Sequence, residues 1–303
     1  MTIRAVLRQC TKRAWEEALK PAPFAYAKAG SLEQAIELLA HEEARLLAGG
    51  QSLIATLNMR LDRPALLVDI NGISGLDGIG LRNGTIEIGA LVRHAQAERS
   101  ADIARYAPLI ALAMPHIGHP AIRHRGTLGG SIAFADPAAE LPACLIAMAG
   151  EITITGPQGA RTVKAEHFFK GLFETALGAR DVLTAIRIPA ASPATRIGFA
   201  ELARRHGDYA MVGLAACASE TGESLCDLHL AYFGVGSIPV RARKAEAALM
   251  DGDLDNAVHV LGEDLHPSED IQASAAVKLH LAGVLLRRVA KQLTAPQTLE
   301  RRA

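Results

Sequence analysis

The sequence predicts a mixed α+β protein built from two structural parts. The chain has 303 residues, half of them hydrophobic, and strand-like runs alternate with helix-like runs on both sides of a proline-containing stretch at residues 190–193. This length is sufficient for two hydrophobic cores. We therefore predict an N-terminal extension at 1–20, a first domain at 21–191 and a second domain at 192–303.

The first domain opens with a helix after Ser31. Ser31 and Gln34 fit a capping box, in which the serine caps the first turn and the side chain three positions later reaches back. Strands are predicted where apolar residues run together or alternate. These segments are residues 45–48, 66–70, 85–88, 151–155 and 182–188.

The middle of the first domain is predicted to be helical at both ends. Apolar residues at 109–114 indicate a helix, and the glycines, prolines and histidines of 116–136 indicate an ordered loop. A second helix is expected to run to about Gly150, with Asp136 as its cap and Pro137 at its first position.

The second domain is predicted to pair a sheet with helices. Strands are expected at 196–201, 211–218 and 228–235, and helices at 243–249 and 271–291. The last helix has an apolar stripe at helical spacing that should pack on the sheet. The stripe consists of Ile271, Ala275, Leu279, Ala282, Leu286 and Val289.

Charge and hydropathy exclude several classes of partner. Lysine plus arginine and aspartate plus glutamate number 32 each, so no global field favours nucleic acid or an anionic membrane. Apolar stretches end well before the roughly 20 residues of a membrane span, and no secretory signal is recognisable. We expect a soluble, cytoplasmic protein.

The cysteines (Cys10, Cys144, Cys217 and Cys226) lack a CxxC pair, and we expect them to act as small buried hydrophobes.

Two glycine loops are the features that point to a ligand. The first loop consists of Ala48, Gly49, Gly50, Gln51, Ser52 and Leu53, and the second of Gly126, Thr127, Leu128, Gly129, Gly130 and Ser131. Consecutive glycines lack Cβ atoms, so their N–H groups can converge on an anion, and neighbouring hydroxyls add donors. Neither loop matches a dinucleotide or phosphate-loop pattern, and either alone would indicate only a turn. Together they favour a site in which each loop binds one half of a pyrophosphate.

In their wider context these loops resemble motifs of a known family. Residues 48–70, 122–142 and 204–210 resemble, in order and spacing, the three motifs of the FAD-binding medium subunits of carbon monoxide dehydrogenase and related xanthine dehydrogenase-like molybdenum hydroxylases. The resemblance covers about residues 21–290. It implies a vanillyl-alcohol-oxidase-type (PCMH) FAD-binding domain with two α+β subdomains, and a C-terminal domain with a three-stranded antiparallel sheet and helices.

The resemblance also implies a function and partners. The chain would be the FAD-containing electron-transfer subunit of a heterotrimer, itself assembled as a dimer of heterotrimers. It would accept electrons from a [2Fe-2S] subunit, which receives them from a molybdopterin-binding large subunit, and pass them to an external acceptor. It would carry no catalytic residue for the organic substrate and no metal of its own.

Individual residues gain roles by the same motif match. The backbone at residues 48–52 and 127–131 would hold the FAD pyrophosphate, and Leu53 would also belong to the cofactor site. Asp136 would lie near the flavin or its ribityl chain, Ile122 would approach the isoalloxazine, and Tyr209 would lie near the ring. Two positions depart from the family pattern. His124 stands where many relatives have asparagine, and Glu201 stands where some have lysine.

Several alternatives remain open at this point. Asp136 could serve only as a helix cap, Tyr209 could be a plain core tyrosine, and Arg204 with Arg205 could be a solvated pair. Histidines at 116, 119 and 124 lack a carboxylate or cysteine at ligand spacing, so no metal site is predicted. At the level of function, the alternatives are a free-standing flavin oxidoreductase of the same fold and a scaffold that has lost FAD.

Overall fold

The computed structural model describes residues 20–222 and 224–295. The predicted extension at 1–20 lies outside these ranges apart from Lys20, as does Cys10. Of the other cysteines, Cys144 is buried as expected, whereas Cys217 and Cys226 are only partly buried.

A small parallel sheet forms the first subdomain. Its strands are β1 (Ala25–Lys28), β2 (Ala44–Leu47) and β3 (Leu66–Asp69), in the order β1-β3-β2. Parallel neighbours require crossover connections. Helices α1 (Leu32–Leu38) and α2 (Leu53–Asn58) lie in these connections. The first glycine loop therefore lies between the end of β2 and the start of α2.

The start of α1 differs in one detail from the predicted capping box. The Ser31 side chain accepts from the N–H of Gln34, as expected. The Gln34 side chain, however, accepts from the N–H of Gly30 at 2.7 Å rather than from that of Ser31. The long glutamine side chain reaches one residue further and still satisfies a backbone donor before the helix.

A five-stranded antiparallel sheet forms the second subdomain. Its strands are β4 (Ile79–Arg82), β5 (Thr85–Gly89), β6 (Glu151–Gly156), β7 (Gly159–Lys164) and β10 (Val182–Pro189), in the order β4-β5-β10-β6-β7. Between β7 and β10 lie helix α9 (Ala165–Phe168) and the hairpin β8 (Phe169–Gly171) and β9 (Glu174–Thr175). Strand β10 is the central strand and pairs with β5 on one side and with β6 on the other.

The connection from β5 to β6 carries six short helices. They are α3 (His94–Arg99), α4 (Ala101–Tyr106), α5 (Pro108–Ala113), α6 (Pro120–Arg123), α7 (Leu128–Phe134) and α8 (Glu140–Ala147), with a 3-10 turn at Met114–His116. The expected loop at 116–136 thus contains two helices. The expected helix start at Asp136 is wrong, because the Asp136 side chain instead accepts from the N–H of Ala138 and holds a turn that contains Pro137.

The C-terminal part is a sheet backed by helices. Three long antiparallel strands, β11 (Thr195–Ala203), β12 (Ala210–Thr221) and β13 (Ser224–Phe233), pair in sequence order with the short edge strand β14 (Val240–Arg241). The helices are α10 (Arg243–Met250), α11 (Leu254–His259), α12 (Leu261–Asp264) and α13 (Ala275–Thr294). The three predicted strands are confirmed, and the sheet contains in addition the two-residue strand β14, which the resemblance did not imply.

Helix α13 packs on β11 and β12 through most of the predicted stripe. Ala282, Leu286 and Val289 are fully buried, but the prediction that Ile271 belongs to this buried stripe is wrong. Ile271 is 96% exposed, because Ser274 caps the helix three residues later. Within residues 20–222 and 224–295, neither this helix nor a shorter one is long and apolar enough to cross a bilayer.

The two parts share a hydrophobic core and an ion-pair network. The main core cluster includes Phe199 and Phe233 of the C-terminal sheet together with residues of the five-stranded sheet. Buried Glu246 accepts from the N–H of Leu230 at 2.8 Å and from Arg241, which also donates to Glu166 of α9 at 3.1 Å. Arg243 also donates to Glu166, at 2.9 Å, so two arginines of the C-terminal part pair with one glutamate of the first part.

Removing the Glu246 carboxylate should be costly. Glu246→Ala leaves the buried Leu230 N–H without its acceptor and removes one of the two carboxylates that pair with the Arg241 guanidinium, so the free energy of unfolding should fall by about 3 kcal/mol. Urea unfolding measures the change. Glu263→Ala, which breaks an exposed pair with Lys244, is the matched control and should leave the midpoint nearly unchanged. Equal effects of the two substitutions would contradict a structural role for the network.

Candidate functional site

The first glycine loop presents unused backbone donors. Gly50 has φ of +73°, a left-handed conformation that residues with a Cβ rarely adopt. The N–H groups of Gly50, Gln51 and Ser52 donate to no acceptor among residues 20–222 and 224–295, and the Ser52 hydroxyl makes no cap bond to α2. Buried or half-buried N–H groups need partners, so these donors suit an anionic ligand.

In the second loop, the N–H groups of Gly129 and Gly130 already donate to acceptors within the protein. The Thr127 hydroxyl accepts from the N–H of Gly130 and caps α7. The N–H of Gly129 donates to the carbonyl of Ala90 at 2.9 Å, and a Cβ on Gly129 would lie 2.5 Å from that of Ala90. Gly129 therefore permits close packing on the end of β5. Its N–H group is already used, so this loop can offer a ligand mainly the hydroxyl of Ser131.

The two loops touch each other through their backbones. A Cβ on Gly49 would overlap the carbonyl oxygen of Arg125 and lie 2.9 Å from the Cα of Gly126. No side chain fits between the loops at this point. The chain thus brings together the two segments that sequence analysis placed on one ligand.

A hydrogen-bond bridge holds the loops in this position. The Asn71 amide donates to the carbonyl of Ala48 at 2.8 Å and accepts from the Arg93 guanidinium at 2.5 Å. Arg93 also donates to the Arg125 carbonyl. Sequence reasoning missed this bridge, because an Asn-Gly pair such as Asn71-Gly72 is typical of a turn and nothing in the local pattern distinguishes Arg93 from a surface arginine.

Beneath the second loop lies a buried neutral histidine. His94 is 5% exposed, and neither ring nitrogen has a hydrogen-bond partner in the described part of the chain. Burial lowers its pKa to about 4, outweighing the nearby Thr127 backbone, which favours the charged form. Gly126 packs on the ring, where a Cβ would lie 3.0 Å from Nδ1. The imidazole acts as an uncharged support.

The residues expected near the flavin ring lie on neighbouring segments. Tyr209 is 61% exposed and Ile122 is 38% exposed, so the core-tyrosine alternative is wrong. Gly118 lies between the segments of Ile122 and Tyr209. Its carbonyl oxygen would lie 2.9 Å from a Cβ built on Gly207, and a Cβ built on Gly118 would lie 3.3 Å from the Ile122 side chain. Burial and then the charge of Asp136 raise the pKa of Tyr209.

Arg204 is also more than a solvated side chain. Its guanidinium donates to the carbonyls of Ile271 and Gln272, which precede α13. The third motif is therefore anchored to the C-terminal helix layer at one end, while its other end presents Tyr209 to solvent.

Behind Asp136 lies a group of ionisable side chains. The His116 imidazole pairs with Glu201 at 3.2 Å between Nδ1 and Oε1, and this bond raises the pKa of His116. Burial, followed by the Glu201 charge, raises the pKa of Glu140 to about 7. No three His, Cys, Asp or Glu side chains in the described ranges are placed to hold a metal.

Comparisons with known proteins give a consistent result. A family model described as the FAD binding domain in molybdopterin dehydrogenase matches residues 22–191, and the CO dehydrogenase flavoprotein C-terminal domain matches residues 198–293. The chain is 36% identical to the 6-hydroxypseudooxynicotine dehydrogenase complex subunit alpha of Paenarthrobacter nicotinovorans, covering 89% of this chain and 94% of the relative. It is 32% identical to the carbon monoxide dehydrogenase medium chain of Hydrogenophaga pseudoflava, covering 88% and 96%.

The fold agrees with a solved structure. A chain in a structure of carbon monoxide dehydrogenase from Hydrogenophaga pseudoflava superposes with a TM-score of 0.88 at 34% identity. The match covers 90% of this chain and 98% of that chain. Nearly the whole of the described fold is therefore common to both.

Removing the Arg93 bridge should loosen both loops. Arg93→Ala leaves the Asn71 and Arg125 oxygens without their donor, and the free energy of unfolding should fall by about 1–3 kcal/mol. Amide hydrogen exchange should accelerate at residues 48–52 and 125–131. Arg99→Ala, at the exposed far end of the helix that follows Arg93, should change neither quantity. Unchanged exchange in Arg93→Ala would show that the loops hold their position without the bridge.

The buried Glu140 should make stability depend on pH. Its folded pKa of about 7 exceeds the ordinary 4.5, so between these values the folded protein binds more protons than the unfolded chain. Stability should fall as pH rises through this window, by about 3 kcal/mol relative to Glu140→Gln. Urea unfolding at pH 5 and pH 8 tests this, with Glu151→Gln, at a half-buried position on β6, as the control. A wild-type-to-Gln difference that is the same at both pH values would contradict the burial of an acid here.

Proposed function

Because the chain belongs to the family of FAD-binding medium subunits of molybdenum hydroxylases, we propose that its two glycine loops hold the pyrophosphate of FAD. The family includes carbon monoxide dehydrogenase medium chains and xanthine dehydrogenase FAD-binding subunits. The chain is accordingly the FAD-binding, electron-transferring subunit of an oxidoreductase complex that also contains an iron–sulfur subunit and a molybdopterin-binding subunit. A dimer of such heterotrimers is the proposed assembly.

One observation carries the site assignment: the loops meet without room for a side chain, beside unused donors. Three successive N–H groups of the first loop, at residues 50–52, have no acceptor in the described part of the chain. A pyrophosphate carries anionic oxygens that accept from such donors. Ser131 of the second loop would add a hydroxyl from the opposite side. Ala48, Gly49, Thr127 and Gly129 would shape this cradle, and Leu53 would begin the helix behind it.

The flavin end of the site is proposed at Ile122, Asp136 and Tyr209. The exposed phenol ring of Tyr209 offers a flat amphipathic surface on which an aromatic ring can stack. Asp136 is held by its bond to the Ala138 N–H, so its position is fixed before any ligand binds. These residues would orient the cofactor and set its electrostatic environment.

Bound FAD supplies the redox chemistry, taking electrons from the [2Fe-2S] subunit and giving them to an external acceptor. The organic substrate would be transformed in the molybdopterin-binding subunit, so no residue of this chain is assigned a catalytic role. The two relatives compared above are named for different substrates, 6-hydroxypseudooxynicotine and carbon monoxide. Their names as a complex subunit and a medium chain favour this role over a free-standing flavin oxidoreductase.

We further propose a domain boundary near residue 192 and a cytoplasmic location. The boundary is supported by the change of sheet: β10 ends at Pro189 in the five-stranded sheet, and β11 starts the C-terminal sheet at Thr195. The location is supported by the three free thiols among the described residues, which fit a reducing compartment.

Valine at Gly50 should abolish FAD retention. Its branched Cβ would be strained at φ of +73° and would crowd Leu47 and Ile54, so the three N–H groups would lose their common direction. Absorption spectra of the purified protein, with identification of the flavin released on denaturation, measure occupancy.

The matched control is Gly75→Val. Gly75 has φ of +84° with open space around it, so this variant carries a similar backbone strain away from the loops. It should retain FAD at the wild-type level. Full FAD occupancy in folded Gly50→Val protein would disprove the assignment of the first loop.

A further inference from the structure

The ionisable group behind Asp136 draws on both parts of the chain. Glu140 is the first residue of α8, His116 ends the 3-10 turn, and Glu201 lies on β11. We call these three residues the acid cluster. The Phe199 ring covers His116 at a centroid distance of 5.0 Å, and the His206 ring lies at 6.2 Å.

The acid cluster contains a buried oxygen without a donor. The Glu201 side chain is 5% exposed, and its Oε1 faces His116. Its Oε2 has no hydrogen-bond partner among residues 20–222 and 224–295. An unpaired buried carboxylate oxygen is costly, and the two carboxyls repel each other when both are charged. One proton held by the carboxyls would relieve the repulsion between them.

Three further ionisable side chains, those of Asp136, Cys144 and His229, lie around α8. Asp136, at the turn before the helix, and Glu201 both disfavour a charge on Glu140, while His116 favours it. Cys144, one turn further on, is fully buried, and burial raises the pKa of its thiol far above neutrality. At the far end of the helix, His229 bonds to the carbonyl of Ala147.

With His116 protonated and both carboxylates ionised, the acid cluster carries one net negative charge. A single added proton makes it neutral. The pKa of Glu140, raised to about 7, sets this change near neutral pH. The His116 ring lies 6.2 Å from the ring of His206, which belongs to the same motif as Tyr209, so the acid cluster adjoins the proposed flavin end. Burial, followed by the charges of Asp136 and Glu140, raises the pKa of Tyr209.

We propose that the acid cluster stores one proton and exchanges it with the flavin, an inference that rests on the proposed FAD site. Reduction of the flavin by two electrons from the iron–sulfur subunit requires uptake of at least one proton. That proton leaves the Glu140 carboxyl, which becomes a carboxylate, and it returns when both electrons pass to the external acceptor. Glu140 holds the proton, whereas His116 and Glu201 set its affinity.

Infrared difference spectroscopy of the intact FAD-containing complex tests this exchange. The reduced-minus-oxidised spectrum at pH 7 should show loss of a protonated carboxyl band that shifts in D₂O. The band should be absent in Glu140→Gln and retained in Glu151→Gln, with FAD content unchanged in both. In Glu201→Gln the pH at which the band titrates should fall, because one source of repulsion on Glu140 is removed.

The outcomes separate the two proposals. A folded complex without FAD would overturn the proposed function, and the proton exchange with it. A complex with full FAD but no carboxyl band change on reduction, or with the same band in Glu140→Gln, would overturn the proton exchange alone.

Discussion

The contact between the two glycine loops is the constraint on which the site depends. One loop extends from the parallel sheet and the other from the helical connection that follows β5, so each belongs to a different subdomain. They can meet only because Gly49 has no side chain to separate it from the Arg125 carbonyl. Asn71 and Arg93 then hold the contact with hydrogen bonds. The same contact therefore fixes both the arrangement of the two subdomains and the shape of the proposed cofactor cradle.

Much of the fold could be predicted from the sequence because its strands and long helices bury regular apolar patterns. Errors occurred where side-chain bonds override local pattern. Asp136 bonds within a turn instead of capping a helix, and Ser274 starts the last helix after Ile271. In the site, consecutive glycines gave a local signal. The Asn71–Arg93 bridge and the acid cluster gave none, since each unites residues far apart in sequence.

Burial lowers the pKa of a base, His94, on one side of the site and raises the pKa of an acid, Glu140, on the other. Under the second loop, burial keeps His94 neutral, so folding is weakened as pH falls from about 6.5 toward its lowered pKa of about 4. Behind Asp136, burial favours a protonated Glu140, and folding is weakened as pH rises toward about 7. The proposed pyrophosphate end thus avoids a buried positive charge beneath the second loop, and the proposed flavin end avoids accumulating negative charge.

Phe199 and Phe233 belong to the same core as the five-stranded sheet, and this sharing limits how the subunit can work. Domains that open and close around a ligand need a thin, wet boundary, whereas a continuous close-packed interior resists shear. Tyr209 and the second glycine loop are consequently attached to one rigid body, because Ala210 and Leu128 both belong to this core. Electron transfer is steeply sensitive to distance, and a subunit of this construction would keep its donor-to-acceptor spacing constant while its partners change around it.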